Sequence, residues 1–366
     1  MVQLRRVVPS SCFAAHLSRE PSLHYNPREM RVYIVPAGCR KIDDLRLVER
    51  PEPRPGVGQV RVQLRAWSLN YRDHAVVTGH YLDGTVRRDT IPLSDGAGEI
   101  VEIGEGVTRL KTGDRVAGVF TQTPPEGPPF GAKLALGSPL DGMLAEQVVL
   151  YEDGLVIIPD RLSFEEAACL PCAGVTAWHA LMHAGRPVRP GDTVLVLGTG
   201  GVATLALQFA RAAGARVIAT SSSDEKLDRM KAMGASDGVN YAQVADWDLE
   251  VLKLTGGRGV DCVVETGGAG TLTRSFQSLA HGGKVVLIGV LTGLGDPINP
   301  YLLMGKRASL HGIFVGDRDM FEAMNRAIDL NGIKPLVDRV FAFDEALAAF
   351  RHHASGRFMG KIAIAR

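Results

Sequence analysis

No stretch of the 366 residues carries an apolar run long enough to cross a bilayer, so an integral helical membrane protein is excluded and the body reads as soluble. Cysteine is scarce. Cys12, Cys39, Cys169, Cys172 and Cys262 are odd in number and scattered, which excludes a disulfide framework and fits a reducing compartment such as the cytoplasm. Charge of one sign is also lacking: 41 Lys and Arg face 40 Asp and Glu, a formal net charge of +1. Bulk attraction to nucleic acid or an anionic membrane is therefore not indicated, and a small-molecule substrate is expected. Repeats and low-complexity tracts are absent as well. What is present is 45% hydrophobic residues and 42 glycines, the balance of a globular α/β enzyme with many tight turns. The length exceeds what one core usually serves, so two domains are expected.

Residues 1–29 differ from the rest. Arg5, Arg6, Arg19 and Arg28 accompany four serines against only Glu20 and Glu29, the bias of an organelle transit peptide. The plainer reading is a disordered extension or a start placed too early, because Met30 opens a strand-like run, Met30-Arg-Val-Tyr-Ile-Val35. From there to about Pro159 short β-type runs are punctuated by turns, among them Gln59–Leu64, Gly98–Ile103 and Asp114–Val119. After Pro159 apolar runs alternate with helix-length segments: Val194–Leu197, Arg216–Ala219, Cys262–Val264 and Lys284–Ile288. Such spacing calls for right-handed βαβ units and a parallel sheet. Gly360–Ile364 reads as a strand able to rejoin the first domain. The expected division is a mostly-β catalytic domain of residues 30–158 and 304–366, and a doubly wound dinucleotide-binding domain of residues 159–303.

The strongest motif is Gly191-Asp-Thr-Val-Leu-Val-Leu-Gly-Thr-Gly-Gly-Val-Ala203, running into a helix from Thr204. A strand that ends in glycines and turns straight into a helix leaves unpaired N–H groups at the helix start, and these can hold a pyrophosphate. Gly198, Thr199, Gly200, Gly201 and Val202 are the candidates, with Ala203 at the third small position. Cofactor choice is read at the end of the next strand. An acidic side chain there would bond the ribose of NAD, whereas here Thr220 and Ser221 end the strand. Asp224 and Glu225 read as first-turn helix residues, with Ser222 and Glu225 forming a capping box. Ser221, Ser222 and Lys226 then remain to cradle a phosphate, which favours NADP(H) over NAD(H); for Lys226 a solvated helix-face charge is the alternative.

These residues resemble the medium-chain dehydrogenase/reductase superfamily, in its zinc-independent, quinone-oxidoreductase-like branch. Val60–Asp73, Pro92–Val107, Lys111–Ala117, Leu170–Trp178, the glycine turn and Gly282–Gly289 carry the likeness, which covers nearly all of residues 30–366. The resemblance implies a GroES-like mostly-β catalytic domain, a Rossmann domain of α/β class, and an active site in the cleft between them. It also implies cofactor contacts from Thr176, from the strand ends at Thr266, Gly267, Gly289, Val290 and Leu291, and from Tyr241. Zinc enzymes of the superfamily would place a Cys at Asn70 and a His at Ser94, leaving only Cys172 on a ligand position. A lone thiolate cannot form the three-ligand open site of catalytic zinc, and the stretch from Val119 to Leu150 has no Cys for a structural zinc. The proton-relay positions fall on Arg72 and Ala75. No metal is therefore expected. The Cys169-x-x-Cys172 pair reads as small apolar packing.

Without a metal to polarise a carbonyl, an enolate, whose charge is spread over oxygen and carbon, needs less stabilisation than an alkoxide. Enone or quinone reduction is thereby favoured over alcohol oxidation. Asn70 is read as a positioner and Tyr71 as a proton donor or oxygen ligand, with local capping and packing as the alternative; Asp73 reads as a capping or salt-bridge residue. An alcohol dehydrogenase with a side-chain acid, and an NADP-binding protein without turnover, remain open. Ile298–Ile313 resembles the sheet-edge segment that relatives pair across a two-fold axis, so a homodimer is expected.

Overall fold

The computed structural model describes residues 28–81, 84–123, 134–293, 295 and 298–366. The expectations for residues 1–27 lie outside the described residues. The first strand, Glu29–Ile34, opens beside Met30 and pairs antiparallel with Arg46–Pro51.

The apolar runs after Pro159 form a six-stranded, all-parallel sheet. Its order across the sheet is Asp237–Asn240, Arg216–Ser221, Thr193–Leu197, Val260–Glu265, Leu279–Leu287 and Ser309–Gly312. Counted along the chain this is 3-2-1-4-5-6, so the order reverses beside Thr193–Leu197 and opens a crevice at its carboxyl end. The central strands are buried along their whole length because helices cover both faces, which is why they read as unbroken apolar runs. The sheet continues past residue 303: Ser309–Gly312 is its sixth strand and lies at an edge.

The other sheet has seven strands, and Gln59–Ser68 is its axis. That strand pairs antiparallel with Asp95–Ile103, with Gln147–Tyr151 and with the last strand, Lys361–Ala365. The chain end thus returns to the first domain as expected. It does so beside the glycine turn: the N–H of Gly360 donates to Thr199 O at 2.9 Å, and Gly200 and Gly360 form a parallel bridge. One hydrophobic cluster runs through both domains, joining Ala66, Ala97 and Phe120 of the β domain to Val194, Leu205 and Phe209 of the parallel-sheet layer.

Helix Ala346–Ala354 packs on the short helix Tyr71–Val77 and brings the His353 and His74 rings to 6.3 Å. Neither buried Nδ1 has a partner among the described residues. Burial, reinforced by Lys361, His74 and His352, pushes the His353 imidazole down to about 3. A base depressed below its unfolded value supports the fold fully above pH 6.5, and that support is lost as pH falls toward 3. Urea unfolding at pH 7 and pH 5 should therefore show a smaller acid loss in His353→Leu than in the parent, by about 1 to 2 kcal/mol. Equal losses in the two proteins would show that His353 carries no part of the acid sensitivity.

Candidate active site

The glycine turn follows strand Thr193–Leu197 and leads into helix Gly201–Ala212. Gly198 has φ +78°, a left-handed conformation that a side chain would strain. Gly200 is the N-cap, in extended conformation, and no side chain caps the helix. A Cβ at Gly198 or Gly200 would meet nothing within 4 Å, so the turn leaves room for a ligand over the free N–H groups of the first helical turn. These residues fit a pyrophosphate. Thr199 and Thr176 are buried, and Val202 is half-buried, on the first turn of the helix.

At the end of strand Arg216–Ser221, Ser221 is buried and its Oγ accepts from Ser223 N at 3.2 Å. Ser222 is not the helix cap. That role belongs to Ser223, whose Oγ accepts from Lys226 N at 3.3 Å, because two residues separate the strand end at Ser221 from the helix start at Asp224. Lys226 is not a freely solvated charge either: its ammonium donates to Phe358 O at 2.8 Å and Gly356 O at 3.3 Å, across to the β domain. The Asp224 carboxylate is held by Asn240 Nδ2 at 2.8 Å and Gln243 Nε2 at 2.7 Å. Tyr241, half exposed, follows directly, its N–H bonded to Ser221 O.

The neighbouring strand ends are stitched together by a buried carboxylate. Glu265 Oε1 accepts from Gly267 N at 2.7 Å, Gly268 N at 3.1 Å and Thr271 Oγ1 at 2.7 Å, and Oε2 accepts from Ser275 Oγ. Gly267 O in turn receives Thr292 N and Oγ1. The N–H of Gly267 is thus spent on Glu265. Gly289 N is likewise engaged, with Glu265 O at 3.3 Å, whereas Thr266 anchors its hydroxyl on Leu197 O at 3.2 Å. Val290 and Leu291 are exposed beyond them.

Asn70 and Tyr71 sit where strand Gln59–Ser68 gives way to helix Tyr71–Val77. Asp73 caps this helix from its third position, accepting from Asn70 N at 2.8 Å, and pairs with Arg72. Burial raises its carboxyl to about 6, opposed by Arg72. Arg72 is committed to Leu136 O at 2.9 Å and Ser138 O at 3.1 Å. Tyr71 is half exposed at the helix start. The side chain of Asn70 does not cap: its Oδ1 accepts from Lys361 Nζ at 2.5 Å.

Lys361, unremarked in the sequence, organises what surrounds it. Its buried ammonium also donates to Leu69 O at 2.6 Å and lies 3.7 Å from the Asp95 carboxylate. Asp95 accepts from Ser94 Oγ at 2.7 Å and, at 3.3 Å, from Cys172 N, which sits in a π-helical turn, Leu170–Gly174. Positions 70, 94 and 172 therefore converge, and a Lys–Asp pair lies among them. Burial pushes the Cys172 thiol far above its ordinary value and raises Cys169 to about 11. Among the described residues no three His, Cys, Asp or Glu side chains are grouped to hold a metal. Lys361 also joins this cluster to the cofactor turn: a Cβ at Gly201 would lie 2.4 Å from Lys361 Cδ.

Comparison with known proteins agrees with this geometry. Residues 56–160 match the alcohol dehydrogenase GroES-like domain and residues 201–329 the family described as zinc-binding dehydrogenase. A zinc-type alcohol dehydrogenase-like protein of Schizosaccharomyces pombe is 41% identical over 91% of this chain and 98% of its own. The chain belongs to the medium-chain dehydrogenase/reductase superfamily. Quinone oxidoreductase-like protein 2 of Rattus norvegicus is 29% identical over 98% of this chain and 97% of its own. Among solved structures of the superfamily, one described as a putative alcohol dehydrogenase of Sinorhizobium meliloti has a TM-score of 0.83 at 39% identity, covering 92% of this chain and 98% of its own. The protein is accordingly an NAD(P)-dependent oxidoreductase, with a GroES-like domain and a Rossmann domain.

Gly200→Ala separates fold from ligand. Its backbone suits alanine and nothing crowds the added methyl, so thermal stability of the cofactor-free protein should hold within about 0.5 kcal/mol. Dinucleotide affinity, read by fluorescence titration, should fall at least about tenfold, since close backbone approach is lost.

Proposed function

We propose that the chain is an NADP(H)-dependent reductase of small enones, quinones or related carbonyls, working without zinc. The observation that carries this is the convergence of Asn70, Ser94 and Cys172 on a buried Lys361–Asp95 pair beside the glycine turn. An amide, a hydroxyl and a thiol held in its neutral form are a poor ligand set for Zn²⁺, and the ammonium bonded to Asn70 opposes a second cation there. The expectation of a zinc-free site rests on this donor chemistry.

When bound, the nicotinamide cofactor supplies the hydride. The first turn of helix Gly201–Ala212 holds its pyrophosphate, and Asn70 positions the reacting carbonyl. As negative charge develops on the oxygen of a bound enone, an N–H of Asn70 and the hydroxyl of Tyr71 would act as donors to it. A proton from Tyr71 or solvent completes the saturated ketone. Preference for the 2′-phosphate rests on Ser221 and Lys226, and on the turning of the Asp224 carboxylate toward Asn240 and Gln243.

The edge strand Ser309–Gly312, with Tyr301 and Met304 exposed nearby, supports a homodimer formed by a second copy, with neither nucleic acid nor membrane as partner. Light scattering reads that state directly. Cys39, Cys169, Cys172 and Cys262 are free thiols, in keeping with the cytoplasm.

NADPH oxidation by a panel of enones, quinones and aldehydes, alongside NADP⁺ reduction by a panel of alcohols, tests the reading: turnover confined to the alcohols, or none at all, would refute it. On the best substrate Tyr71→Phe should lower kcat by roughly tenfold to a thousandfold while NADPH affinity holds. Lys226→Ala combined with Ser221→Asp should weaken NADPH far more than NADH, and an unchanged ratio of the two affinities would remove the NADP assignment.

A further inference from the structure

A buried lysine must find compensation, and Lys361 finds it in an arrangement that also decides which way an amide faces. Its Nζ donates to Leu69 O at 2.6 Å and Asn70 Oδ1 at 2.5 Å, with Asp95 at 3.7 Å as counter-charge. An ammonium has donors only, so only the oxygen of the Asn70 amide can face it. The Nδ2 group is thereby directed away from the ammonium. Its contact there is Ser94 Oγ at 3.5 Å, at the long limit for a hydrogen bond, while Ser94 spends its own proton on Asp95 at 2.7 Å. Asn70 thus keeps N–H capacity that the protein does not firmly use.

The same lysine is fixed from the cofactor side. Its stem packs over Gly201, where any side chain would strike Cδ, and the preceding residue, Gly360, donates to Thr199 O in the glycine turn. A shift of the turn therefore moves Lys361, and Lys361 moves Asn70.

We propose that Lys361 is the positioning residue of this active site: it holds and polarises the Asn70 amide so that Nδ2 presents its N–H to the substrate oxygen, in register with the glycine turn. The proposal rests on the reductase reading for the identity of that oxygen, though not for the order of the amide. Charge on one end of an amide strengthens donation from the other, and a donor already oriented needs no reorganisation as negative charge develops. The ammonium does not contact the substrate; it acts through Asn70.

Lys361→Met keeps the stem over Gly201 and removes the charge. With NADPH and the best substrate, kcat should fall by about tenfold to a hundredfold, and the primary isotope effect with 4-deuterated NADPH should rise as hydride transfer becomes limiting. In an Asn70→Ala background the same substitution should cost less than about threefold more, because the group it acts through is gone. Effects that multiply would overturn the proposal. If Lys361→Met does not fold, Lys361→Gln, with a similar stem and a neutral donor, is subjected to the same cycle, with the same non-additivity expected.

A readout independent of turnover uses the ¹⁵N-labelled, cofactor-free protein, in which the Asn70 side-chain NH₂ pair is assigned by its absence from Asn70→Ala. In the parent it should be ordered and protected from exchange, and in Lys361→Met that order should be lost. Identical amide order in both proteins overturns the positioning role whatever the activity. A parent protein inactive toward every substrate, with amide order still dependent on Lys361, would instead refute the reductase reading alone.

Discussion

The ion pair between Lys361 and Asp95 is the contact on which the candidate site depends. Either charge alone at that depth would be costly, and together they are tolerable only because carbonyl, amide, hydroxyl and backbone N–H groups complete their hydrogen bonds. That requirement recruits Leu69 and Asn70 from the first long strand's end, Ser94 from a second strand's start and Cys172 from a π-helical turn. The result is a polar knot among buried apolar residues.

The dinucleotide side follows a different logic, in which side chains keep the backbone of the site in place. Glu265 satisfies two glycine N–H groups and two hydroxyls with one carboxylate, so the strand-end loop is rigid without any ligand. The glycine turn is left open over its helix, which has no capping side chain. Rigid walls around an unsatisfied helix start make a site that a phosphate completes rather than reshapes.

How much of this was legible in the sequence depended on how far apart the interacting residues lie. The parallel strands and the glycine turn could be read because burial on both faces and a strand-turn-helix junction are local properties of a few consecutive residues. The cap at Ser223 was read one residue early because Ser221, Ser222 and Ser223 are chemically alike, and only the residue at which the helix starts chooses among them. The sixth strand, Ser309–Gly312, is four residues long and mostly polar at its surface, too short for alternation to show, so the second domain was closed too soon. Lys361 and Asn70 are 291 positions apart. No window on the sequence contains such pairs; they exist only once the last strand has returned to the first.

Because a single apolar cluster threads from Ala66 and Phe120 through to Leu205 and Phe209, the two domains are not independent folding units. Melting one would expose the shared wall of the other, so the loss of either carries the other with it. Heat capacity, enthalpy and denaturant sensitivity then belong to the chain as a whole. A dinucleotide that touches chiefly one lobe raises the resistance of both, including the distant β strands that never meet it, by mass action alone.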